Sequence, residues 1–138
     1  MGISKANAEL LLGRLLVLLG VVLASATIPM IFPVSWMAEI HRSLGLGEFP
    51  TDPIVVYLAR STSMLYAFHG CILIYCGLNL MTTRGLVPLI VILHLFSGVF
   101  LIWTDVNSPL PWFWILGEGP GIIFGAVVLG YLYWKSAD

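Results

Sequence analysis

The sequence predicts an all-α integral membrane protein, a four-helix bundle with a short amphipathic external helix between spans one and two. Three observations predict this fold class. Hydrophobic residues make up 59% of the 138-residue chain and charged residues 9%, against about a quarter charged in soluble domains. Four apolar stretches reach the length of about 20 residues that a helix needs to cross the hydrocarbon. The five tryptophans lie near the predicted span ends, where aromatic side chains favour membrane interfaces.

The four spans form a single transmembrane domain over residues 1–138. They are predicted at about 9–32, 54–81, 86–104 and 112–134. Breaks between them fall at Pro33, at the glycine- and proline-containing stretch 45–53, at Arg84-Gly85 and at 107–111.

The first connection is predicted to contain a short interfacial helix at about 35–44. Ser35 is placed to cap it, and its apolar residues share one face. Gly45 and Gly47 would end it. Two interpretations stay open at this point: a lid over the mouth of the bundle, and a helix that lies among the lipid headgroups.

The distribution of basic residues predicts the orientation. Lys5, Arg14, Arg84 and Lys135 fall on one side of the predicted spans, so the positive-inside rule places both termini in the cytoplasm. The first apolar run, which ends near residues 24–26, also resembles a signal peptide, but its length favours an uncleaved span. A net charge of −1 argues against nucleic acid as a partner. The predicted partners are the lipid bilayer and a larger membrane complex or a second copy of the chain.

Ionisable and polar side chains inside the spans are the candidate site, because charge in hydrocarbon is costly without a partner, water or an exit. The candidate ligand-binding residues are Arg60, Tyr66, His69, His94, Asp105 and Glu118. Arg60, Asp105 and Glu118 are predicted to converge in the outer half of the bundle, with an ion pair between Arg60 and Glu118. Three interpretations remain: a salt bridge that fixes helix register, a pocket for a polar headgroup, and a proton path.

Cofactor and metal chemistry has weak support in the sequence. His69 and His94 on adjacent spans raise the possibility of bis-histidine haem, but their depths are predicted to differ by roughly 6 Å. Neither the Glu-x-x-His pairs of di-iron sites nor a nucleophile elbow is present. Cys71 and Cys76, about 140° apart on a helix, are predicted to be buried and unbridged. We therefore expect no catalytic residue, metal or cofactor, with haem and quinone kept as alternatives and a non-enzymatic role favoured.

Span four carries a G-x-x-x-G-x-x-x-G pattern, formed by Gly117, Gly121 and Gly125. Such a face allows another helix to approach closely. The partner helix belongs either to this chain or to another subunit. Pro120 is predicted to kink the helix just beyond Glu118.

Short motifs along the chain resemble the DoxX-like superfamily of small four-span bacterial membrane proteins. They are the leucine-rich opening around Gly13-Arg14 with Gly20, the external Leu44-Gly45-Leu46-Gly47, and Tyr75-Cys76-Gly77-Leu78 followed by Thr83-Arg84. The resemblance implies a four-helix bundle in the bacterial inner membrane, in some cases beside redox or quinone-linked enzymes. The acidic residue that the family often carries early in span two is replaced here by the run from Arg60 to Ser63.

Three functional hypotheses follow. The first is a non-catalytic accessory subunit or scaffold of a larger membrane complex, such as a redox complex. The second is a binding protein or redox component for a lipophilic ligand such as a quinone, with few polar groups in an apolar pocket. The third is an oligomeric transporter or channel, which is disfavoured because four spans are few and no inverted repeat is visible.

Overall fold

The computed structural model describes residues 3–137, and every regular element in that range is helical. The helices are α1 (Lys5–Ala24), α2 (Thr27–Ile31), α3 (Val34–Ser43), α4 (Pro53–Leu78), α5 (Leu80–Thr83), α6 (Val87–Val106) and α7 (Trp112–Lys135), with a 3₁₀ turn at Arg84–Leu86. Four segments are long and apolar enough to cross a membrane: Lys5–Ile31, Pro53–Leu78, Leu80–Val106 and Trp112–Lys135. The predicted fold class, an all-α membrane protein with four spans, is confirmed.

A continuous helix was expected over 9–32, but the first span consists of two helices, α1 and α2. It begins earlier, at Lys5, and α1 gives way to a turn at Ser25 and Ala26 before α2 starts. The Ser25 hydroxyl donates to the Val22 carbonyl at 2.6 Å, and the Thr27 hydroxyl donates to the Ala24 carbonyl at 2.8 Å. Hydroxyl groups that bond to nearby carbonyls compete with helical hydrogen bonds, which accounts for the break.

The external helix predicted at about 35–44 is present as α3. Ser35 does not cap it, and that part of the prediction is wrong: the N-cap is Pro33, without a side-chain cap hydrogen bond. The proline ring fixes a backbone angle suited to the entry of a helix. After α3 the chain turns through Gly45 and Gly47, whose φ angles of 73° and 85° lie in the region that favours glycine.

By its internal contacts the described chain divides into two compact units. The first unit contains residues 3–17 and 75–137, and the second contains Leu18–Ile74. In the first unit the fully buried apolar side chains include Leu12, Leu16, Val87 and Leu129. In the second unit Leu73 is fully buried and Ala67 nearly so.

Close helix contacts within each unit occur where glycine removes the side chain. In the first unit a Cβ added to Gly77 would lie 2.6 Å from the Gly13 carbonyl oxygen. In the second unit a Cβ on Gly20 would lie 2.7 Å from the Gly70 carbonyl oxygen. Small residues let helix backbones touch in membranes, where packing rather than hydrophobicity drives association. These glycines are therefore the fixed contact points between α1 and α4.

Candidate functional site

Asp105 is a buried acidic residue of the first unit. It lies in the last turn of α6 and is 4% exposed. Its Oδ2 atom is the one buried side-chain nitrogen or oxygen without a hydrogen-bond partner within residues 3–137. Asp105 follows Gly98 by seven residues, about two helical turns, and a Cβ on Gly98 would contact Ile123 of α7. Asp105 therefore lies on the face of α6 that packs against α7.

Glu118 is half-buried on α7 and already has a donor. The indole Nε1 of Trp114 donates to its Oε2 at 2.5 Å, and the four-residue spacing places both side chains on one helix face. Two residues later Pro120 lies inside α7, which continues to Lys135. Because proline has no N–H, the backbone donor that the Leu116 carbonyl would otherwise receive is missing. This part of α7 is thus richer in acceptors than an ordinary helix.

His94 is half-buried on α6, and its ring is oriented by its own helix. Its Nδ1 lies 2.8 Å from the Ile90 carbonyl oxygen. A carbonyl oxygen only accepts, so this contact assigns the hydrogen to Nδ1.

Arg60, Tyr66 and His69 all belong to the second unit, on α4. The Arg60 Nη2 donates to the Phe32 carbonyl at 3.2 Å, and Phe32 contacts Trp36 of α3 edge-on at 5.3 Å between ring centroids. Arg60 therefore supports the entry to the external helix. Tyr66 and His69 are each held by a hydrogen bond, a ring contact or an electrostatic interaction.

The six candidate residues thus divide equally between the two units. His94, Asp105 and Glu118 lie in the first, and the three α4 residues lie in the second. Arg60 and Glu118 each have a partner within their own unit. The ion pair expected between them stays a prediction.

A polar cluster in the first unit was not predicted from the sequence. The Arg84 Nη2 donates to the Ser136 Oγ at 2.7 Å, and Nη1 lies 3.7 Å from the Glu9 Oε1. The guanidinium carbon also lies 5.1 Å from the centre of the Tyr133 ring. The predicted first span begins at residue 9, on the side of the spans where Arg84 falls, and that shared level is the signal that would have suggested the pairing of Glu9 with Arg84. The cluster joins α1, the 3₁₀ turn and the end of α7.

The glycine pattern of α7 has two opposite faces. A Cβ on Gly117 or Gly121 would meet no atom within 4 Å, and both residues are exposed. A Cβ on Gly119, by contrast, would lie 2.5 Å from the Ile102 Cγ1 and 2.8 Å from the Gly98 carbonyl oxygen. The intramolecular contact therefore uses Gly119, outside the predicted pattern, while Gly117 and Gly121 lie on the opposite side of α7 from that contact. Gly125 is half-buried.

Outside the spans, the connection after α3 carries an exposed charge network. Arg42 lies 3.1 Å from Glu39 and 3.2 Å from Glu48. The hydrogen bond from Arg42 and its positive charge lower the pKa of the Glu48 carboxyl, and Glu48 in turn raises the pKa of Arg42. The network links α3 to the turn that follows it.

Among residues 3–137 there is no group of three or more His, Cys, Asp or Glu side chains that could hold a metal ion. Both cysteines are free, in line with the expected lack of a bridge. Cys76 is buried as expected, but Cys71 is exposed, so the expectation of two buried cysteines is half wrong.

The sequence matches no protein-family model, no curated protein and no solved structure. The resemblance to the DoxX-like superfamily therefore stays a prediction.

Proposed function

We propose that the chain is a non-catalytic accessory subunit or scaffold of a larger membrane complex. The observation that carries this proposal is the open glycine face of α7, formed by Gly117 and Gly121. The two residues are about 40° apart around the helix, and Gly119 lies about 200° from each of them. One side of α7 is thus used for packing inside the chain, and the other is left smooth for a helix from a partner.

The lipid bilayer makes such a smooth face effective for association. Apolar side chains gain little from leaving lipid for another apolar surface, so helices associate through close packing. At Gly117 and Gly121 a partner backbone can approach without a Cβ in its way. A redox complex is a candidate partner, because the resemblance to the DoxX-like superfamily implies one in some cases.

A pair of matched substitutions tests the proposal. Gly121→Leu adds a side chain at an exposed position where a Cβ meets no atom within 4 Å, so the fold should be kept while the partner is lost. Gly85→Leu is the control, because a Cβ there also meets no atom within 4 Å but lies in the 3₁₀ turn beside the C-terminal end of α7, not on the face formed by Gly117 and Gly121. The measurement is the stoichiometry of co-purifying protein after extraction of native membranes in mild detergent.

The expected result is a partner that accompanies wild type and Gly85→Leu but not Gly121→Leu. Equal recovery of the partner with Gly121→Leu contradicts this use of α7. Recovery of the wild type only as a stable lone monomer contradicts the accessory role itself.

Binding of a lipophilic ligand is a second candidate function, favoured by Asp105. A buried carboxylate oxygen without a donor costs free energy, about 1–3 kcal/mol for an ordinary unsatisfied group and more for a charged one. Ionisable side chains inside membranes mark functional sites for this reason. A ligand hydroxyl, such as that of a quinol, would supply the missing donor at Oδ2.

Asp105→Asn tests the second candidate. The asparagine amide keeps the shape of the side chain but replaces one carboxylate oxygen, which accepts hydrogen bonds, with an NH₂ group, which donates them. Binding of a short-chain quinol should therefore weaken. In wild type a ligand at one hundred times its Kd should add about 2.7 kcal/mol to the free energy of unfolding. The measurement is the thermal midpoint with and without quinol, with Asp52→Asn, at an exposed residue, as control. A wild type unaffected by quinol, or an Asp105→Asn variant stabilised as much as wild type, argues against this function.

A further inference from the structure

We propose that Arg14 binds the phosphate of an anionic phospholipid on the lipid-facing side of α1. This lipid site goes beyond the proposed function. Arg14 is exposed although it lies inside the segment Lys5–Ile31, which is long and apolar enough to span a membrane. A guanidinium in this position needs a negative partner or a route to water.

Arg14 has no side-chain partner within the described part of the chain. Among residues 3–137 no side chain makes an ion pair or hydrogen bond with it, and the one carboxylate of α1 in this range, Glu9, pairs with Arg84. Glu9 and Arg14 are five residues apart, about 140° around the helix. Arg14 therefore points away from the Arg84 cluster, to the outside of the first unit.

The surface around Arg14 fits a lipid molecule. Leu10 and Leu11, one turn earlier and on the same face, are 51% and 41% exposed and offer apolar contact to an acyl chain. Asn7, a further turn towards the start of α1, is exposed too and lies within about 20° of Arg14 around the helix. The face thus carries exposed apolar side chains at the level to which the Arg14 side chain extends, with an exposed polar side chain nearer the start of α1.

The guanidinium can reach the headgroup level. The apolar run begins at Leu10, and four residues of helix place Arg14 only about 6 Å below it. Side chains in a helix tilt towards its N-terminus, which here is the nearer membrane surface. Long basic side chains near helix ends extend to the interface in this way. The planar guanidinium then binds phosphate oxygens with two parallel hydrogen bonds.

Nearby charges favour an anionic lipid over a neutral one. Lys5 donates to the Ala137 carbonyl at 3.2 Å, and Lys135 lies over the Trp134 ring, so both cations are at the end of the first unit from which α1 starts. Each basic side chain near the surface contributes about 1 kcal/mol to the attraction of anionic lipids. Within the described part of this end, Glu9 is the sole opposing carboxylate.

Native mass spectrometry of the full chain in detergent tests the proposal. The apparent Kd is measured for phosphatidylglycerol and for phosphatidylcholine in wild type and variants. Arg14→Gln should raise the phosphatidylglycerol Kd about fivefold, which corresponds to about 1 kcal/mol, and should affect phosphatidylcholine less. Arg14→Lys keeps the charge but not the paired hydrogen bonds, so its Kd should fall between the two. Arg42→Gln, at an exposed arginine already paired with Glu39 and Glu48, should leave both values unchanged.

Three outcomes overturn the proposal. The first is an unchanged phosphatidylglycerol Kd in Arg14→Gln. The second is displacement of the lipid by millimolar inorganic phosphate, which would identify a site for free phosphate. The third is loss of a co-purifying protein from Arg14→Gln with lipid binding intact, which would assign Arg14 to a carboxylate of a partner subunit. None of these bears on the Gly121→Leu experiment, so the two proposals fail independently.

Discussion

At the scale of single residues, the glycines of this chain differ sharply in what surrounds them. A Cβ on Gly77 would lie 2.6 Å from the Gly13 carbonyl oxygen and 2.9 Å from the Val17 backbone nitrogen. Backbone atoms of a packed helix cannot move aside as the end of a flexible side chain can. At Gly121 the same methyl group would meet open space. Substitution is therefore expected to be costly at Gly77 and tolerated at Gly121.

Gly77→Ala is expected to destabilise the first unit by about 1–3 kcal/mol, the usual cost of forcing a methyl group into a packed site. Gly121→Ala should have no such cost, and the higher helix propensity of alanine should stabilise α7 by up to about 1 kcal/mol. Unfolding in mixed micelles, followed by circular dichroism, measures the difference. Equal effects of the two substitutions would show that α1 and α4 do not touch at Gly77.

At the scale of elements, α3 and the turn that follows it depend on Arg42. Its guanidinium joins Glu39 inside the helix to Glu48 beyond the two glycines. Because both partners are exposed, solvent and salt weaken the network. Its contribution is to the shape of the connection rather than to the stability of the spans.

The order of this connection is expected to depend on pH through Glu48. Its pKa is lowered from the ordinary value of 4.5, so the carboxylate stabilises the folded turn above that value and loses this effect as the pH falls through the lowered pKa. Amide hydrogen exchange of residues 44–49 should accelerate in that acidic range, relative to the intrinsic rate. Glu48→Gln should abolish the pH dependence and Asp52→Asn should keep it. A flat profile in wild type would show that the Arg42–Glu48 contact is not formed in solution.

At the scale of the whole molecule, hydropathy and length predicted the four spans because the bilayer requires nearly continuous apolar helices. Amphipathic spacing likewise predicted α3. Periodicity assigns a residue to a face of its helix, but it does not say which neighbour covers that face. For this reason the inward contact of Gly119, the Arg84–Glu9 cluster and the unpartnered oxygen of Asp105 became visible only in three dimensions. The break after Ala24 was missed because Ser25 and Thr27 are compatible with both a helix and a turn.

The two cysteines give this protein a built-in label position. Cys71 is not covered by the protein, whereas Cys76 is 1% exposed, so in detergent a thiol-reactive nitroxide should modify Cys71 and not Cys76, without any substitution. Relaxation of that nitroxide by dissolved oxygen, compared with relaxation by a water-soluble nickel complex, reports immersion depth. The immersion depth of α4 at Cys71 can thus be measured on the wild-type sequence.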